Sequence, residues 1–120
     1  MNLSIEIRKT ENITILELAG RVSVLDTRLR ELVEELVACG ERYFIINLAN
    51  VSYLDNSGLG QLCLVYTLAR NHGGDVRLLK PTPRIRKLLN ITKLDSVFKT
   101  FEQEADAIRT IPTLAEALSA

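Results

Sequence analysis

The stretch Tyr43-Phe44-Ile45-Ile46-Asn47-Leu48-Ala49-Asn50-Val51-Ser52-Tyr53-Leu54-Asp55-Asn56-Ser57-Gly58-Leu59-Gly60 passes from an apolar segment into the start of a helical pattern. Its first six residues show no alternation, as expected of a central strand covered on both faces. From Leu59 onward, Leu59, Leu62, Cys63, Tyr66 and Ala69 recur at helical spacing, and Asn71-His72-Gly73-Gly74 ends the segment. Where a helix begins, the first backbone N–H groups lack intrahelical partners and the positive end of the helix dipole faces outward. The junction from Asp55 to Gly60 therefore suits a negative charge or a partner's carboxylate.

Upstream, Leu3, Ile5 and Ile7 alternate with Ser4, Glu6 and Arg8, the period of a strand with one wet face. Lys9-Thr10-Glu11-Asn12 turns into the β-branched run Ile13 to Leu18, so the two segments read as an antiparallel hairpin. Beyond Gly20, Leu25, Leu29, Leu32, Val33, Leu36 and Val37 take the spacing of one helix face, with a charged opposite face from Arg28 to Glu35 and a stop at Gly40. Downstream, Asp75 to Lys80 predicts a strand, and Pro81-Thr82-Pro83 predicts a capped helix start running through Leu89. Val97 to Phe101 predicts a last short strand, and Glu102 to Ile108 a last helix. Pro112 forces a break near Thr110 before a short helical piece with Leu114 and Leu118. The order predicts an α/β fold: a mixed, mostly parallel sheet opened by an N-terminal β-hairpin, with about four helices packed against it, in one domain spanning 1–120. In such sheets functional loops lie beyond the carboxyl ends of the strands, which is where the Asp55 junction falls.

Fifteen Lys plus Arg balance fifteen Asp plus Glu, so no global field draws the chain to nucleic acid or to an anionic bilayer. No apolar run approaches membrane-spanning length, and Met1 to Glu6 has no basic region followed by an apolar core; a soluble, cytoplasmic protein without membrane insertion is expected. Cys39 and Cys63 form no metal-ligand spacing and lie in or beside helical apolar patterns, which predicts buried packing.

Catalytic chemistry finds little to work with, and no cofactor or metal is expected. The only histidine, His72, sits at a predicted helix end, the setting of a surface residue. No Walker-type loop is present, and Gly58-Leu59-Gly60 fails the dinucleotide fingerprint because Cys63 stands where the third glycine belongs. A phosphoacceptor receiver domain would need an aspartate ending the central strand, and that run ends in Leu48-Ala49-Asn50.

Within the junction, Asp55 can hold its own loop through nearby N–H groups or accept hydrogen bonds from a partner, the first being favoured. Ser57 reads first as a helix N-cap and second as a phosphoacceptor. Gly58 and Gly60, two glycines in a first helical turn, point to a steric demand, either internal packing or the close approach of a partner. Leu59 fits a core position and an exposed anchor equally.

With these residues in view, the sequence resembles the STAS domain family, especially bacterial anti-sigma factor antagonists. The resemblance covers almost the whole chain, in the order of elements and in Ile46-Asn47-Leu48, Val51-Ser52-Tyr53-Leu54-Asp55, Ser57-Gly58-Leu59-Gly60 and Gly73-Gly74. It implies a non-enzymatic module that binds an anti-sigma factor, a serine kinase with an ATP-binding kinase-like fold, and regulates transcription by partner switching. The family pattern is Asp-Ser-Ser/Thr-Gly-Leu-Gly, with the phosphorylated serine directly after the aspartate. Here Asn56, which cannot be phosphorylated, fills that position, and Ser57 aligns with the second hydroxyl. The family often has an aspartate where this chain has Ser23; Asp26 lies nearby at a shifted alignment. The resemblance thus implies partner binding through Asp55, Asn56, Ser57, Gly58, Leu59, Gly60 and Ser23, with either constitutive binding, the preferred expectation, or a switch at Ser57. Other members imply two alternatives, a STAS subunit of an ABC-type lipid transport ATPase and an NTP-sensing module.

Overall fold

The computed structural model describes residues 2–23 and 25–119. β1 (Ser4–Thr10) and β2 (Ile13–Val22) form an antiparallel hairpin, followed by α1 (Arg28–Ala38), β3 (Tyr43–Leu54), α2 (Asn56–Asn71), β4 (Asp75–Leu79), α3 (Pro83–Ile91), β5 (Lys99–Phe101), α4 (Glu104–Arg109) and α5 (Leu114–Ser119). The five strands lie side by side in chain order, with β2, β3, β4 and β5 mutually parallel. Connections that always step in one direction, with one handedness, lay their helices on one face of a sheet. Accordingly Leu29 and Val33 of α1, Leu62 and Val65 of α2 and Ile85 and Leu89 of α3 share one core with Leu16, Phe44, Ile46 and Leu78. The opposite face is smaller: Ile13, Ile15, Ile45 and Leu79 are covered by Ala107 and Ile111.

The central strand runs to Leu54, six residues beyond the apolar run that predicts it. Two register shifts explain the difference. Glu17 pairs with Asn47 but Ala19 pairs with Asn50, so Leu48 and Ala49 stand opposite Leu18 alone; between Gly20 and Arg21 the partner skips from Val51 to Tyr53, leaving Ser52 extra. Each bulge reverses which parity faces the core. Phe44, Ile46 and Leu48 are thus followed inward by Val51 and then by Leu54, a sequence no period-two pattern reproduces. Asn47 supports the first bulge, its side-chain oxygen accepting from the Ala49 N–H at 3.0 Å while its amide donates to Glu17 Oε2 at 2.6 Å.

Two further expectations are corrected. Leu25 is not on the buried face of α1; it precedes the helix and is 91 % exposed. The helix starts later because Asp26 organises the turn, accepting from the Arg28 backbone N–H at 3.1 Å and from its guanidinium at 2.6 and 2.9 Å. Cys39 is exposed, because it caps the end of α1, one residue past its last helical position, whereas Cys63 is half-buried and packs against the main core. By contrast, Thr82 caps α3 through its hydroxyl, 3.3 Å from the Ile85 N–H, with Pro83 in the first turn as the sequence predicts. No helix among the described residues is long and apolar enough to cross a membrane.

Candidate functional site

The parallel strands β2, β3 and β4 all lead into helices, so their connections to α1, α2 and α3 share the carboxyl end of the sheet. The central connection is the shortest, since Asp55 alone separates β3 from α2. Its extended backbone, at φ −111° and ψ −169°, makes it the N-cap of α2, and its Oδ1 accepts from the Gly58 N–H at 2.9 Å. The other oxygen, Oδ2, accepts from the Tyr53 hydroxyl at 2.9 Å. Tyr53 is in turn covered by the Arg21 guanidinium, 4.2 Å from the ring centre. Arg21 and Tyr53 are register partners across β2 and β3, so the second bulge is what brings this cation onto this ring.

The capping assignment differs from the sequence expectation. Ser57 lies inside the first turn, where its hydroxyl has no role in capping, and Asp55 performs that function two residues earlier. The loop-holding role expected of Asp55 is what the geometry displays. The Gly58 N–H and the Tyr53 hydroxyl, in that order, hold the Asp55 carboxyl below the usual carboxylate range. The same bond pushes the Tyr53 phenol upward.

The two glycines separate cleanly. A Cβ on Gly58 would stand 2.2 Å from the Val22 carbonyl oxygen, so the first turn of α2 touches the end of β2 only because no side chain intervenes. A Cβ on Gly60 would meet nothing within 4 Å. Leu59 is buried in the main core, which decides between its two readings. Asn56, Ser57 and Gly60 face outward and are exposed. Farther along α2, Leu64 is 48 % exposed.

Ser23 follows Val22, so the same close contact brings it near the α2 start. Its hydroxyl oxygen accepts from the Leu25 N–H at 3.1 Å, a local turn, and it lines a cavity with Arg21, Asp26 and Arg28 rather than the one beside Asp55. Asp26 is held by Arg28, which lowers its pKa, and so is committed to the start of α1. The cavity beside Asp55, of about 320 Å³, is lined by Tyr53, Asn56, Arg84, Lys87 and Ile91 among others. These α3 residues carry no motif and are joined to the site only by the fold. No group of three or more His, Cys, Asp or Glu placed to hold a metal occurs among the described residues. His72 is exposed at the end of α2, its Nδ1 2.9 Å from the Leu68 carbonyl oxygen.

Residues 4–107 match the STAS domain. An anti-sigma F factor antagonist from Paenibacillus polymyxa is 23% identical over 117 residues, covering 96% of this chain and 100% of that protein. An anti-sigma-B factor antagonist from Bacillus subtilis is 29% identical, covering 81% of this chain and 89% of its own. Among solved structures, an anti-sigma factor antagonist from Mycobacterium paratuberculosis superposes with a TM-score of 0.79 at 20% identity, covering 92% of this chain and 94% of that one.

Two outcomes follow for the junction. Gly58→Ala should destabilise the protein by about 1–3 kcal/mol through overpacking against Val22, whereas Gly60→Ala should stabilise it by about 0.5–1 kcal/mol as the open helical position gains a better helix former; urea unfolding of both variants checks the contrast. Asp55 has its pKa lowered on folding, so its contribution is present above the unfolded carboxylate value near about 4 and is lost as pH falls through the lower folded value. Asp55→Ala should therefore melt below wild type at neutral pH, with the gap narrowing as the solution is acidified below about pH 4.

Proposed function

The chain belongs to the STAS domain family, and on that premise we propose that it is an anti-sigma factor antagonist: a non-enzymatic module, acting as one domain, that docks on a kinase-like anti-sigma factor and regulates transcription by partner switching. The observation that carries this reading is the division of labour at the start of α2. Asp55, Gly58 and Leu59 are occupied in holding the helix to the sheet, while Asn56, Ser57 and Gly60 are presented to solvent on a rigid first turn. A surface whose backbone is fixed in advance loses little entropy when a partner covers it. Gly60 lets that partner approach the helix backbone, and the exposed Leu64 extends the face along α2. The relatives named above are antagonists of anti-sigma factors, which supports the same partner class. Any ATP chemistry belongs to the partner, and the complex forms in the cytoplasm, where sigma factors act.

The switch differs from the family pattern. Asn56 keeps the neutral, hydrogen-bonding character of an unphosphorylated serine and accepts no phosphate. Binding is therefore constitutive with respect to that position. A negative charge at Ser57 would be tolerated by the helix start but would disrupt a docked surface and add to the charge of Asp55.

Pull-down from the native host should recover a kinase-like anti-sigma factor, and the complex should persist on addition of ATP, with no phosphopeptide detected by mass spectrometry. Ser57→Glu should fold normally yet bind at least about tenfold more weakly, a loss of about 1.4 kcal/mol. Recovery of no such partner would count against the assignment. Transfer of phosphate to Ser57 with release of the partner would replace constitutive binding by a displaced switch, and phosphate on any other residue would contradict both.

A further inference from the structure

Seven of the ten arginines are held by carboxylates, and the two around Tyr53 are not. Arg8, Arg28, Arg30, Arg70, Arg77, Arg86 and Arg109 each pair with a carboxylate. Arg21, Arg84 and Lys87 make no ion pair among the described residues, a state shared by Arg42, Lys80, Lys93 and Lys99; what marks the three is that they gather around one exposed ring. Arg84 and Lys87 line the cavity beside Asp55, and Arg21 lies on the Tyr53 ring at the boundary between that cavity and the one near Ser23. Both arginines act on the Tyr53 hydroxyl, each opposing the upward shift imposed chiefly by its bond to Asp55. The one carboxylate in their midst is already engaged by Tyr53 and the Gly58 N–H. Three cations without carboxylate partners therefore flank a single exposed aromatic on a chain of zero net charge. Ile91, 65 % exposed, adds an apolar margin to the same cavity.

We propose that Arg21, Arg84 and Lys87 form a basic arm around Tyr53 that receives an acidic segment of the protein partner docked at the start of α2. The proposal rests on the docking reading above and adds to it the chemistry of the partner's surface and a role for α3. The occupant is a polypeptide rather than a polyphosphate because the cations are spread over β2 and α3 beside an exposed tyrosine and isoleucine. Tyrosine and arginine are favoured anchors of protein interfaces. Charges at such a margin act mainly on the rate of association and on the choice of partner.

The test uses the full chain and has two parts. In the first, backbone-amide NMR follows titration with an oligoglutamate peptide at low ionic strength. Tyr53, Asn56, Arg84 and Lys87 should shift, and affinity should fall about tenfold in R84Q/K87Q but not in K93Q/K99Q, a pair of equal charge placed elsewhere, with thermal melting verifying that both variants fold. Equal losses in the two variants, or shifts scattered over the surface, would overturn the arm. So would ATP shifting the same amides at lower concentration than the peptide, which would make this a nucleotide site. In the second, association with the purified anti-sigma partner should slow about tenfold in R84Q/K87Q at low ionic strength, the difference closing near about 1 M salt; no difference at low salt would overturn the proposal. A positive peptide result with no anti-sigma partner recovered would uphold the arm while removing the assigned partner.

Discussion

The contact on which the site depends is the approach of the α2 backbone to the end of β2 at Gly58, where a Cβ would stand 2.2 Å from the Val22 carbonyl oxygen. That approach, with the Asp55 carboxylate bridging the Gly58 N–H and the Tyr53 hydroxyl, leaves one residue for the passage from strand to helix. A connection that short has almost no conformational freedom. It sets the phase of α2, so Leu59 and Leu62 enter the core while Asn56, Ser57 and Gly60 are turned outward. The surface proposed for recognition is thus a consequence of packing.

The bulges in β3 extend the same logic to the neighbouring charges. By adding two residues to the strand relative to β2, they set Tyr53 opposite Arg21 and direct the polar end of the ring at Asp55. The carboxylate that caps the helix is therefore coupled to the aromatic that Arg21 covers. Most of the other arginines are neutralised in pairs, which bear little on stability when exposed. The cations near Tyr53 lack such partners and gather on one exposed ring, and from that cluster the acidic character of the docked segment is inferred.

The parts of this architecture written in local chemistry were readable from the sequence. Thr82-Pro83 specifies a helix start through one hydroxyl and one missing N–H, and the Leu29 to Val37 spacing specifies a buried helix face. The hairpin and the mostly parallel sheet followed from alternation and element order. What escaped was set partly by contacts distant in the chain and partly by a choice between competing local turns. The bulges reverse the inward parity of β3 twice, so its second half carries no simple period. Leu25 matched the α1 spacing yet lies outside the helix because Asp26 and Arg28 close the preceding turn. At the junction, Asp55 and Ser57 are both competent caps by residue type, and only the bend of the chain decides that Asp55 does the work. Arg84 and Lys87 reach the site across the fold from α3, without a sequence signal of their own.

Under the proposed function, the start of α2 is the surface a kinase-like anti-sigma factor covers. Hydrogen exchange of the chain alone and in complex with the anti-sigma factor of its own host tests this most directly. The amides of Asn56 to Gly60 should become protected on binding, with those near Arg84 and Lys87 protected to a lesser degree. Protection confined to the opposite end of the sheet, around Gly40 and Gly73, with the α2 start exchanging as in the free protein, would contradict it.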